Sequence, residues 1–104
     1  MAWLLVVVLA LPRVSLVVFP RISRAGTLVR VECLVARHPA NRQLDFGLID
    51  WAVSSRVLDG EVAQVIYTQV LHVPCTDQVT AFCLLTSTER TYRDLRTVQI
   101  VGCE

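Results

Sequence analysis

Two cysteines in separate stretches of alternating apolar and polar residues constrain the fold of this chain more than any other feature. Cys33 lies on the apolar side of the run 28–35, and Cys83 lies on the apolar side of the run 79–85. Alternation with a period of two is typical of half-buried β-strands. The residues that share these inward sides are Val29, Val31, Val35, Val79, Ala81 and Leu85. Both cysteines are therefore predicted to point inward from different strands.

Further strand patterns extend over most of the chain. Residues 14–20 are β-branched and aromatic, "LIDWAV" alternates with Ile49, Trp51 and Val53 on one side, and "LRTVQIV" alternates through Val98 and Ile100. A long β-prone run also ends at Pro74. The polar stretches 36–43 and 86–94 are predicted loops. Six or seven short strands without a helical period predict an all-β sandwich or barrel, with Trp51 pointing inward.

Length and charge restrict the functions open to the chain. Its 104 residues suffice for one domain, and a net charge of +1 offers no clustered basic face for nucleic acid. The apolar run from Ala2 to Leu11 has the length of a signal-peptide core and is shorter than a membrane span. We predict a signal segment over residues 1–18, a mature domain over 19–104 without a membrane span, and a secreted or extracellular location.

The four cysteines, at positions 33, 75, 83 and 103, contain no C-x-x-C motif. The spacing therefore gives no support for a zinc ribbon or a dithiol redox site, and four cysteines allow three disulfide connectivities. The inward orientation of Cys33 and Cys83 favours a bond between them, with the Trp51 indole packed against it. Cys33 paired with Cys75, and Cys83 with Cys103, would indicate a different small fold.

The order Cys33, Trp51, Cys83 on successive strand patterns resembles the B, C and F strands of immunoglobulin-like domains. The resemblance covers residues 14–102 and implies an immunoglobulin-like antiparallel β-sandwich of about seven short strands. Ala81 stands where the family has a tyrosine, and an extended loop is needed between Cys33 and Trp51. On that fold Cys75 and Cys103 lie at the same end, which implies a second disulfide. The alternative is a disulfide-linked dimer through Cys103.

Motifs for catalysis are not found. The serines lie outside a G-x-S-x-G motif, the glycines are isolated, and neither His38 nor His72 belongs to a recognisable cysteine–histidine motif. We therefore expect no enzyme activity, no bound metal and no cofactor.

Two segments are candidates for contact with a partner protein. Phe82, beside Leu84, places apolar area on the outward side of its strand, and the predicted loop 86–94 carries Tyr92 between Arg90 and Arg93. With the resemblance, these features suggest a non-catalytic recognition module that binds another protein, such as a cell-surface receptor or ligand, in adhesion, receptor or immune-type signalling. The alternatives are a small cytokine-like ligand of another β fold and a fragment of a larger receptor.

Overall fold

The computed structural model describes residues 13–58 and 66–103, which form two packed β-sheets and no helix. None of these residues forms a helix with the length and hydropathy needed to cross a bilayer. The strands are β1 (Val14–Phe19), β2 (Ile22–Arg24), β3 (Leu28–Val35), β4 (Asn41–Leu48), β5 (Ala52–Val57), β6 (Ile66–His72), β7 (Gln78–Ser87) and β8 (Thr91–Val101).

One sheet has the strand order β1-β3-β6, and the other has the order β2-β8-β7-β4-β5. The pairs are antiparallel except β2 with β8, which is parallel. The chain passes from the first sheet to the second at Pro20 and Arg21, between β1 and β2. The architecture is a β-sandwich, one of the two forms that the strand pattern predicted, and it is of the immunoglobulin-like kind that the resemblance implied.

The core consists of the alternate residues of each strand that face the opposite sheet. The predicted inward sides of β3, β7 and β8 are confirmed, since the members of each are buried. The Cys33–Cys83 disulfide joins the two sheets through this core, with both residues fully buried and their Cα atoms 6.0 Å apart. A second disulfide, Cys75–Cys103, joins the chain before β7 to the chain after β8.

The prediction that Trp51 packs against the central disulfide was wrong. Ile49, Asp50 and Trp51 form the loop between β4 and β5, and the Trp51 side chain is 59% exposed. Asp50 has a φ of 66°, the left-handed conformation that three-residue hairpin loops use. Ile49 and Val53, predicted to be inward, are also exposed, because the turn falls inside the stretch that was interpreted as one strand.

Phe46 and Tyr67 fill the space beside the disulfide instead. Phe46 is paired with Cys83 on the neighbouring strand, Tyr67 is paired with Cys33, and the two ring centroids are 6.3 Å apart. Phe46 is buried because β4 begins at Asn41, within the predicted loop 36–43, and directs Leu44, Phe46 and Leu48 inward.

Gly47 allows this strand to lie close to its neighbour. Its φ of 143° is rarely adopted by residues with a side chain, and a Cβ atom there would collide with the carbonyl oxygen of Ala52. The glycine therefore belongs to the strand, within the interval between Cys33 and Trp51 where the resemblance required an extended loop.

The N-terminal boundary also differs from the predicted one. Val14, Leu16 and Val18 of β1 are buried in the core, and the Leu16 amide donates a hydrogen bond of 2.9 Å to Asp94 of β8. Cleavage after residue 18 would remove five of the six residues of β1. The predicted signal segment otherwise lies outside the described residues.

We predict that Phe46→Ala lowers the free energy of unfolding by about 3–5 kcal/mol, because it leaves a cavity beside the disulfide. The matched change Trp51→Ala, at an exposed loop position, should cost about 0.5 kcal/mol or less. Urea denaturation followed by fluorescence and circular dichroism measures both. A larger loss for Trp51→Ala than for Phe46→Ala would contradict this arrangement of the core.

Candidate protein-binding face

The five-stranded sheet carries a group of apolar side chains on the surface that it turns away from the core. Two adjacent rows of residues run across β5, β4, β7 and β8 in register. The first row is Val53, Gly47, Phe82 and Leu95, and the second is Ser55, Asp45, Leu84 and Arg93. We call the side chains of these two rows the outer face.

Apolar side chains occupy the middle of the outer face. Val53 is 56% exposed and Leu95 is 45% exposed, while Phe82 and Leu84 between them are half-buried. Val57 lies on the same side of β5 and is 89% exposed. Phe82, Leu84 and Leu95 are neighbours on β7 and β8, and Val53 lies in the row of Phe82 on the far side of Gly47. Exposed apolar side chains grouped in this way often mark interaction sites.

One acidic and one basic side chain flank the patch in its second row. Asp45 Oδ1 accepts hydrogen bonds from the Ser55 hydroxyl and from the Gln43 side-chain amide. Arg93 is exposed and makes no ion pair with any residue of 13–58 or 66–103. Leu84 stands between Asp45 and Arg93 in the row, so the two charges lie on opposite sides of the central strand.

The structure separates the four residues proposed as partner contacts. Phe82 and Arg93 belong to the outward side of the five-stranded sheet, but Tyr92 lies on the other side of β8. The prediction of a loop over residues 86–94 was wrong, because β7 continues to Ser87 and β8 begins at Thr91. Successive strand residues point to opposite sides of a sheet, so Tyr92 and Arg93 cannot act on one surface.

Tyr92 is held between two guanidinium groups. The guanidinium carbon of Arg13 lies 4.7 Å from the ring centroid, and that of Arg90 lies 4.9 Å from it. Arg13 also donates hydrogen bonds to the Tyr92 hydroxyl, at 3.2 Å, and to Asn41 Oδ1, at 2.7 Å. These contacts link the start of β1 to β4 and β8, which gives Tyr92 a role in holding the sandwich together.

Arg90 remains at the tip of the β7–β8 hairpin. Its loop is tight, because the Ser87 hydroxyl donates to the Arg90 carbonyl oxygen and accepts from the amides of Glu89 and Arg90. The pKa of Arg90 is raised, chiefly by hydrogen bonding to the Tyr92 side chain.

Sequence reasoning identified Phe82, Leu84 and Arg93 but missed Asp45, Val53 and Leu95 on the same face. Val53 was assigned to the core because the turn at Asp50 was not recognised. Leu95 was predicted to begin its strand, but it was assigned to neither the inward nor the outward side. The positions of Val53 and Leu95 on the outer face follow from the antiparallel register of β5, β4, β7 and β8, which has no local signal in the sequence.

The described residues offer few other candidates for a binding or catalytic site. Residues 13–58 and 66–103 contain no group of three or more His, Cys, Asp or Glu side chains that could hold a metal ion. All four cysteines are in disulfides, so Cys103 would have to leave Cys75 before it could bond to another chain. Trp51 borders a shallow depression beside Asp50, Thr76 and Gln78 at one end of the sandwich.

Comparisons with known proteins agree on the fold only. No family model and no curated protein matches the chain. Among solved structures, the sulfur carrier protein SoxY from Chlorobium limicola f thiosulfatophilum matches with a TM-score of 0.72 and 14% identity over 89% of this chain and 87% of that one.

A superoxide reductase (neelaredoxin) from Ignicoccus hospitalis matches with a TM-score of 0.66 and 10% identity, covering 85% of this chain and 80% of the other. A point variant of that reductase gives a TM-score of 0.67 at the same identity. Neither the sulfur carrier nor the reductase is called an immunoglobulin domain. At 10–14% identity these matches establish the β-sandwich and carry no function across to this chain.

We predict that Tyr92→Phe lowers the free energy of unfolding by about 1 kcal/mol, because the hydrogen bond from Arg13 is lost. In the Arg13→Ala background the same change should cost much less, since the donor is already absent. Chemical denaturation of the two single variants and the double variant measures this coupling. Additive losses would contradict a direct Arg13–Tyr92 interaction.

Proposed function

We propose that this chain is a secreted or cell-surface-associated, non-catalytic recognition module of immunoglobulin type that binds another protein through the outer face. The observation that carries the proposal is the group of apolar side chains on the outer face: Phe82, Leu84 and Leu95 on adjacent strands, with Val53 beyond Gly47. Apolar side chains grouped on a surface often mark a site where another protein binds.

The strand order supports the immunoglobulin assignment. Variable-type immunoglobulin domains have one sheet with strands A, B, E and D and a second sheet in which strands G, F and C continue into C′ and C″. The order β1-β3-β6 corresponds to A, B and E, and the order β8-β7-β4-β5 corresponds to G, F, C and C′, with β2 added beside β8. The bond between β3 and β7 then corresponds to the family's B–F disulfide.

The disulfides support a location outside the reducing cytosol. Two such bonds within a domain of this size are typical of secreted proteins, where they compensate for a small core. A signal segment ahead of Arg13 accords with this location and leaves β1 in the mature domain.

The proposal is tested by displaying the secreted chain as a fluorescent tetramer and measuring its binding to a panel of cell lines. We expect binding to at least one line, and we expect Leu84→Arg to reduce it at least about tenfold, because a charge would then lie at the centre of the contact.

Leu34→Arg is the matched control. Leu34 is also a half-buried leucine on an outward side, but it lies on the three-stranded sheet. This variant should bind as the unmodified chain does. The proposal fails if no line is bound, or if binding is unchanged by Leu84→Arg while the variant keeps its melting temperature.

A further inference from the structure

The outer face has a feature that indicates what kind of partner it fits. β7 is the middle strand of the five, and the charged residues of the second row stand on the strands at its two sides. Asp45 lies on β4 and Arg93 lies on β8, each one strand from Leu84. A surface whose opposite charges are placed symmetrically about a central line can be complementary to itself.

We infer that the outer face binds a second copy of this chain, face to face, about a two-fold axis parallel to β7. This inference rests on the proposed function and names the partner. The axis exchanges β4 with β8 between the two copies, so that Arg93 of each copy faces Asp45 of the other. Phe82 and Leu84 then pack against the same residues of the second copy, as an isologous interface requires.

A second two-fold axis in the plane of the interface would also place the two sheets face to face, but it would not pair the charges. A two-fold axis perpendicular to the strands, passing between the two rows, would place Arg93 opposite Leu95 of the second copy. It would likewise place Asp45 opposite Gly47. Two unpaired charges would then be covered by apolar groups on each side, which is strongly unfavourable. The charge positions therefore favour the axis parallel to β7.

Both charged groups are available for such a contact. Asp45 is held in place by Ser55 and Gln43 through Oδ1, and Oδ2 has no hydrogen-bond partner within the described segments. Arg93 is exposed and has no acidic partner there either. A carboxylate that is fixed in advance loses less side-chain entropy on pairing than a mobile one does.

The sheet that carries the outer face is large enough for a small dimer interface. Its five strands contain 38 residues, which at about 3.4 Å per residue and about 4.8 Å between strands give a footprint of roughly 600 Å². Specific interfaces bury roughly 600–1,000 Å² on each partner. When two sheets pack face to face, their strands cross at about 30°. The two sheets therefore stay closest near the centre of the contact, where the two rows lie.

The test is sedimentation equilibrium of the secreted chain and of two charge reversals, Arg93→Glu and Asp45→Arg. We expect the unmodified chain to form a dimer at micromolar concentration. Each reversal alone should raise the dimer Kd at least about tenfold, because like charges then face each other. Arg30→Glu, on the outward side of the three-stranded sheet, is the matched control and should leave the Kd unchanged.

Mixing the two single variants gives the sharpest result. When one copy of Arg93→Glu associates with one copy of Asp45→Arg, an acidic side chain faces a basic one at both contacts. We therefore expect the two variants to form a heterodimer when mixed, although each is monomeric alone. Asp45→Asn, which keeps an oxygen acceptor for Ser55, should also weaken the dimer, and it replaces Asp45→Arg if that variant does not fold.

A monomeric unmodified chain, or a dimer that neither reversal affects, would overturn the inference. The tetramer-binding experiment keeps this failure separate from failure of the proposed function. A monomer whose cell binding still depends on Leu84 refutes self-association alone, whereas a monomer that binds no cells refutes both.

Discussion

The arrangement of this domain depends on the Cys33–Cys83 disulfide, which crosses the core between the two sheets. Its loop has a sequence separation of 50 residues, and closing a loop of that size stabilises a folded domain by about 4 kcal/mol in the chain-entropy model. The bond also fixes how the sheets face each other. Phe46 and Tyr67, each paired with one of the two cysteines, pack around it.

The same bond determines which residues face the solvent. Cys83 points inward on β7, so Phe82 and Leu84 on either side of it must point outward. The register with β4 and β8 then places Asp45, Leu95 and Arg93 beside them. The candidate binding face is thus a direct consequence of the core, and no separate loop is needed to build it.

The sequence was informative where alternation was unbroken and misleading where a turn lacked its usual residues. The sides of β3, β7 and β8 were predicted because their runs alternate without interruption. Trp51 was misplaced because its turn uses Asp50 in the left-handed conformation, with no glycine or proline to mark it. The alternation of Leu44, Phe46 and Leu48 was present, but the resemblance required an extended loop between Cys33 and Trp51, so this strand was not predicted. Cross-strand neighbours such as Phe82 and Leu95 depend on register, which no local pattern encodes.

The most direct test of this structure is a non-reducing peptide map, by mass spectrometry, of the chain expressed through a secretory pathway. The account predicts two linked peptide pairs, Cys33 with Cys83 and Cys75 with Cys103, both within one chain. A map that joins Cys33 to Cys75 and Cys83 to Cys103 would contradict the central bond. It would remove the constraint that turns Phe82 and Leu84 to the surface.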